Sequence, residues 1–227
     1  MALSARDTVY ETLRRRLTTG HYAEDVSLIP AALSDEFSVS RTPVREALGL
    51  LERDGLLVST QRGFALRKRS DEEMLEIFEV RAILDSSAAF AAATRRSPVD
   101  LARLDELAAR ARSGTDPELI RQTFNRWHDA VRHAAHNETI SALLRTLDAQ
   151  VKTSAPWKTP RADHTFDATY ADHDAIKDAI RAGDAERART KMLEHHARDR
   201  DTRILQLVSA MAQTAPRSPG SSDSCTH

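Results

Sequence analysis

A chain of 227 residues is long enough for two domains of ordinary size or one large one. With 41% hydrophobic and 30% charged residues it reads as a soluble globular protein. Its longest apolar stretches, such as 88–93, fall far short of the roughly 20 residues of a membrane span, and no signal peptide opens the chain, so a cytoplasmic location away from membranes is expected. The lone cysteine, Cys225, excludes an internal disulfide and a thiolate zinc cluster. The net charge of −1 hides a mild split, with 11 basic against 9 acidic residues in 1–69 and 22 against 25 in 70–227.

From Ala5 to Thr18, Val9, Leu13 and Leu17 recur every four residues, Tyr10 flanks them and Gly20 follows, which predicts a first helix. A second, short helix is expected from Pro30 to Phe37. Ser40 then stands as the N-cap of a third, with Pro43 in its first turn and Val44, Ala47, Leu48 and Leu51 as its buried stripe, ending near Asp54 and Gly55. Residues 56–59, 60–63 and 64–67 read as strand, glycine-containing turn and strand. Three helices and a hairpin make a winged helix-turn-helix over 1–69, with the junction at Lys68 to Asp71. Beyond it the periodicity is helical throughout, with helices expected near 71–95, 99–113, 116–135, 138–153, 164–182 and 184–212, broken at Pro98, Gly114 with Pro117, Asn137, Pro156 with Pro160, and Gly183. The fold class is therefore mainly α. A winged helix-turn-helix with a small β-hairpin wing precedes an all-α antiparallel bundle over 70–213, and 214–227 reads as a disordered tail.

The second helix of a helix-turn-helix enters the major groove and reads base edges from its N-terminus. Arg41 and Arg45, four apart, project from one side of that helix start beside Ser40 and Thr42. Arginines there reach guanine edges or phosphates, and hydroxyls with free N–H groups suit phosphate oxygens. Arg62, at the wing tip beside Gly63, would meet the neighbouring backbone or minor groove.

The run Ser-Val-Ser-Arg-Thr-Pro-Val-Arg-Glu-Ala-Leu at 38–48, with Leu-Glu-Arg-Asp-Gly-Leu-Leu at 51–57, resembles the GntR family of bacterial regulators. The likeness continues through the C-terminal part, which is similar to the FadR-type FCD effector domain. The resemblance carries DNA contacts to Arg41, Thr42, Arg45, Arg62 and Gly63. The chain departs from the family at Ala31 and Ala32, where many members place a charged residue before the leucine of the second helix.

His173 lies 10 residues before Gly183 and His195 lies 11 after Asp184, so at about 1.5 Å per residue the two come level, roughly 15–17 Å from the turn of an antiparallel pair. His128 sits 9 residues before the break at Asn137, beside Trp127. Three neutral imidazoles from three helices suit Zn²⁺, Ni²⁺ or a related divalent ion, whereas ordinary core or surface histidines are the plainer alternative. The resemblance implies one such ion per chain, because metal-binding FCD members have an Asp four before the first His and spacings of 45 and 22 between the three histidines, as here from 128 to 173 and from 173 to 195. The carboxylate is missing: Phe124 occupies its position, and Asn125 offers only a neutral amide oxygen. His196, about 100° from His195 on an ideal helix, is expected in solvent, with His133, His136 and His164. Arg81 falls where the resemblance implies a pocket-facing base for an effector carboxylate, and a bridge to Asp85 at i+4 is the alternative.

These features predict a regulator, a repressor in the usual family role. Its homodimer would bind a palindromic double-stranded DNA operator, and a small organic-acid effector would modulate operator affinity. The competing reading is a metal-dependent enzyme using the three histidines, against which no hydrolase motif such as His-Glu-x-x-His is found.

Overall fold

The computed structural model describes residues 4–23, 25–154 and 166–214. Among them the chain is mainly α, a winged helix-turn-helix followed by an all-α antiparallel bundle.

Helix α1 (Ala5–Thr18) begins at Ser4, whose Oγ accepts from the Asp7 N–H, and buries Val9, Leu13 and Leu17 as their spacing predicts. The helix-turn-helix consists of α2 (Pro30–Phe37) and α3 (Arg41–Arg53). Their turn is tight because Ser38 adopts the left-handed conformation (φ 53°), while the Ser34 hydroxyl donates to the Val39 carbonyl at 2.6 Å. Val44, Ala47, Leu48 and Leu51 of α3 are fully buried against α1 and α2.

The wing has one strand more than the sequence suggests. Strands β2 (Leu57–Thr60) and β3 (Gly63–Leu66) form the expected hairpin, closed by Gln61 and Arg62 alone, and β1 (Ser27–Leu28) adds to its outer edge in the order β1-β3-β2. Two residues carry no readable alternation, which is why β1 escapes pattern reading. It also explains Gly63 locally: with φ +138°, a Cβ there would stand 2.5 Å from the Leu28 carbonyl oxygen, so only glycine lets β1 close on β3.

The bundle comprises α4 (Asp71–Arg95), α5 (Pro98–Ser113), α6 (Pro117–Ala134), α7 (Glu138–Thr153), α8 (Asp167–Ala182) and α9 (Ala185–Thr214). The starts of α4 to α7 are capped by side chains, with capping boxes Ser70/Glu73 and Ser97/Asp100 and the N-caps Asp116 and Asn137. Gly183, left-handed at φ 75°, ends α8 and turns the chain into α9. The expected start of α8 at 164 lies outside the described residues, and helix begins at Asp167. Of the expected tail, Thr214 is the last residue of α9 and the rest lies outside the described residues.

Among the described residues, two large apolar cores result, beside two small clusters around Phe78 and Ala88. One joins α1, α2, α3 and the wing, and the other joins α4, α5, α6, α8 and α9 around Trp127, Leu104, Leu107, Ile176 and Met192. Helix α7 belongs to both halves. Its Ala149 is buried in the first core, Gln150 donates to the Asp54 carbonyl at 2.8 Å, and the Arg145 carbonyl accepts from Arg14 Nη2 at 2.7 Å. At the junction Arg69 reaches back to the Gly55 carbonyl.

Candidate nucleic-acid interface and histidine site

Helix α3 puts its apolar stripe inward and its charge outward. Arg41, Thr42 and Arg45 are exposed, and among the described residues no hydrogen bond or ion pair engages either guanidinium. Ser40 is the N-cap, as expected, but its hydroxyl makes no capping bond, so it and the first N–H groups of α3 face outward without an internal partner. Arg62 sits exposed at the two-residue tip of the wing. By contrast, Arg16 of α1 is tied to Glu36 and Tyr22. The unengaged cations of this half include those that the sequence assigns to DNA.

The three histidines converge. Ligand-capable atoms of His128 on α6, His173 on α8 and His195 on α9 all lie within 4.8 Å of one another. His128 Nε2 and His195 Nε2 stand 3.3 Å apart, close to the separation of about 3.3 Å that tetrahedral bonds of about 2.0–2.1 Å to one Zn²⁺ would impose. The second ring nitrogens complete the case. His195 Nδ1 lies 3.1 Å from Asp172, which Arg198 also engages, so the carboxylate can accept a hydrogen bond from Nδ1–H and leave Nε2 as the free lone pair. His173 Nε2 is buried with no hydrogen-bond partner, an orphan that a metal would satisfy. These residues therefore fit a divalent ion.

Burial holds the His128 and His173 imidazoles well below the ordinary histidine range, with crowding by the other histidines adding to it. Both are thus neutral, the form that ligates. The consequence for stability has a definite sign. The unfolded chain takes up these protons as pH falls through about 6.5, whereas the fold resists them, so stability is complete above that value and declines below it. The urea midpoint of metal-free protein should fall steadily from about pH 7 to pH 5, at up to about 1.4 kcal/mol per pH unit for each buried imidazole. A midpoint flat across that range would contradict their neutral burial.

Phe124, in place of the carboxylate, packs edge-on to His173 with centroids 5.0 Å apart and also meets Phe166 and Tyr170. It is a wall of the site rather than a ligand. Trp127 forms another wall, stacked on His173 at 4.1 Å. Asn125 is exposed and lines a cavity of about 230 Å³ that reaches His128. A more open hollow of about 370 Å³ lies by Asp100 and His133, with none of the three imidazoles in its lining, and its one buried carboxylate is already taken by the Ser97 cap.

Two expectations need correction. His196 is not in solvent: it is 7% exposed, with Nε2 3.1 Å from Asp85 Oδ2. Helix α9 is buried on two faces, so His195 looks toward α6 and α8 while its neighbour looks toward α4. Arg81 does not bridge to Asp85 either, and instead meets Asp148 of α7 at 2.8 Å. Asp85 is held by Arg132 of α6, whose Nε and Nη2 donate to its two oxygens at 2.7 and 2.9 Å. Burial pushes the Asp85 carboxyl upward, but His196 and Arg132 outweigh it and keep the group well below the usual carboxylate range. Asp85, His128 and His196 also lie within mutual ligand distance, yet Asp85 is already spent on Arg132, which favours the three-histidine group for a metal. His133 and His136 are exposed, as expected, and both lie near Asp100.

The chain resembles known proteins. The family described as "Bacterial regulatory proteins, gntR family" matches residues 5–65, and the FCD domain family matches residues 76–198. The "Putative L-lactate dehydrogenase operon regulatory protein" of Escherichia coli (strain K12) is 30% identical over 187 residues, covering 72% of each chain. The HTH-type transcriptional regulator LutR of Bacillus subtilis (strain 168) is 29% identical over 186 residues, covering 72% of this chain and 84% of that one. Among solved structures, E. coli McbR/YncC superposes with a TM-score of 0.72 over 95% of this chain and 100% of its own, at 22% identity, a likeness of fold.

Proposed function

Because the chain belongs to the GntR family of transcriptional regulators and carries an FCD domain, we propose that it is a repressor whose homodimer binds a palindromic operator and releases or tightens on it when a small organic acid enters the histidine pocket. Family membership also answers the enzyme alternative, since the relatives are regulators of transcription. In this reading Ser40, Arg41, Thr42 and Arg45 address the major groove, and Arg62 and Gly63 address the adjacent backbone or minor groove. His128, His173 and His195 hold one divalent ion, Zn²⁺ or Ni²⁺, whose open positions would supply a Lewis-acidic seat for a carboxylate. Arg81 offers that carboxylate a forked partner, and its Nε is buried without a hydrogen bond. The division into a DNA-binding part over 1–69 and an effector and dimerisation part over 70–213 belongs to the same proposal. Val80 and Ile83 leave apolar surface of α4 in solvent, which suits a second copy.

One observation carries the coupling. On α7, Asp148 pairs with the pocket arginines 81 and 132, while the very next residue, Ala149, is buried in the core of the winged helix. A ligand that competes for those arginines therefore acts on a helix that the DNA-binding half is built around.

The reading is tested on the duplex upstream of the chain's own gene. Arg45→Ala should weaken specific binding by about 1–3 kcal/mol, roughly 5- to 150-fold, and relax the preference at one position of each half-site. An operator affinity equal to that of the unaltered protein would remove Arg45 from the interface.

A further inference from the structure

The cavity that reaches His128 is not walled by the bundle alone. Arg14 and Thr18 of α1, in the DNA-binding half, line it together with Arg81, Arg132, Arg145 and Lys152. The Arg14 guanidinium is anchored there, since its Nη2 donates to the Arg145 carbonyl of α7.

The cations of this cavity are not equally engaged. Arg132 is taken by Asp85 and Asp148, Arg81 shares Asp148, and Arg145 meets Glu138 at 2.9 Å. Asp129, on the rim, lies 3.2 Å from Arg132. Arg14 and Lys152 have no carboxylate partner among the described residues. Burial separates the two groups: Arg81 and Arg132 are 16% and 4% exposed, whereas Lys152 is exposed and Arg14 lies on the seam between α1 and α7. The cavity thus has an inner, buried cationic end at Arg81 and Arg132 and an outer, more exposed one at Arg14 and Lys152, which have no carboxylate within ion-pair distance although Lys152 acts electrostatically on Asp129.

The geometry points to a second anion subsite at that outer end, formed by Arg14 of the DNA-binding half with Lys152 of α7, for the far acid group of a dicarboxylate whose near carboxylate sits at Arg81 and the histidines. This rests on the effector reading above. At about 230 Å³ the space is smaller than the roughly 300–1,000 Å³ of sites for drug-sized molecules, which suits a short, doubly charged acid. Such a ligand spans the seam and touches both halves, whereas a monoacid fills the inner end alone. By linkage, the spanning acid gains affinity directly from the docked position of α1, so it biases the winged helix by a contact that a monoacid, acting through α7 alone, does not make.

Calorimetric titration of the full chain loaded with Zn²⁺ separates the two ends, using L-lactate and the 2-hydroxy diacids of four to six carbons. The best-bound diacid should bind about 10-fold or more tighter than lactate. Arg14→Gln should bring that diacid down to the lactate level while leaving lactate affinity unchanged and lowering the melting temperature by no more than several degrees, as loss of the Arg145 carbonyl bond implies, and Arg14→Lys should restore much of the difference. Arg81→Ala should weaken both acids. If Arg14→Gln leaves the diacid unaffected, or weakens lactate equally, while Arg81→Ala weakens both, the outer subsite is wrong and the effector pocket stands. If Arg81→Ala also leaves both unchanged, or neither acid binds the unaltered chain, the pocket reading falls with it.

Discussion

Protein purified with His173→Ala should carry less than about a tenth of the bound Zn²⁺ or Ni²⁺ of the unaltered chain, an effect larger than the roughly 10- to 100-fold loss in affinity caused by removing a supporting partner. The reason is the ligand count. Three imidazoles without a protein carboxylate leave no reserve, and His173 Nε2, like His128 Nδ1, is a buried nitrogen with no hydrogen-bond partner. Phe124→Asp should act in the opposite direction, because it exchanges a ring packed on His173 for an acidic ligand one helical turn before His128. Metal analysis after dialysis reads both variants. A metal content unchanged by His173→Ala would end the three-histidine proposal.

Arg132→Met should destabilise the fold by about 3–5 kcal/mol, the usual cost of leaving a buried carboxylate without its partner. At about 2–4 °C per kcal/mol for a chain of this size, the melting temperature should drop by roughly 6–20 °C. Arg132 is 4% exposed, and it joins α6 to Asp85 of α4 and Asp148 of α7 at once. Burial opposes the Arg132 charge, but Asp85 and Asp148 overcome it and hold the guanidinium above its ordinary range. Asp129→Ala is the control: its side chain is 62% exposed and its contact with Arg132 should be worth less than about 1 kcal/mol. Equal melting temperatures for the two variants would mean that the buried network does not hold the bundle.

Legibility in the sequence followed the range of the interactions. The stripe of α3 and the levelling of His173 with His195 are local consequences of helix geometry, and both hold in the structure. His196 was misplaced because a one-residue rotation of 100° takes a side chain off one face, yet in a bundle the next face of α9 also meets a helix, here α4. The alternative partner for Arg81, Asp85 at i+4, fails because Asp85 belongs to Arg132, 47 residues away, and Arg81 meets Asp148. Ion pairs between helices leave no periodic signal. The entry of α1 into the wall of the cavity was equally invisible, because it depends on how two separately patterned halves dock along α7.

On the proposed reading one helix, α7, lets an acid in the histidine pocket change how the winged helix holds DNA. Fluorescence anisotropy of the full chain on its upstream duplex, with and without the acid that binds most tightly in the calorimetry and with Zn²⁺ present throughout, measures that coupling. Operator affinity should shift roughly 5- to 150-fold, and the shift should be absent in Arg81→Ala. One operator affinity at all acid concentrations, from a protein that binds both the acid and the duplex, would contradict it.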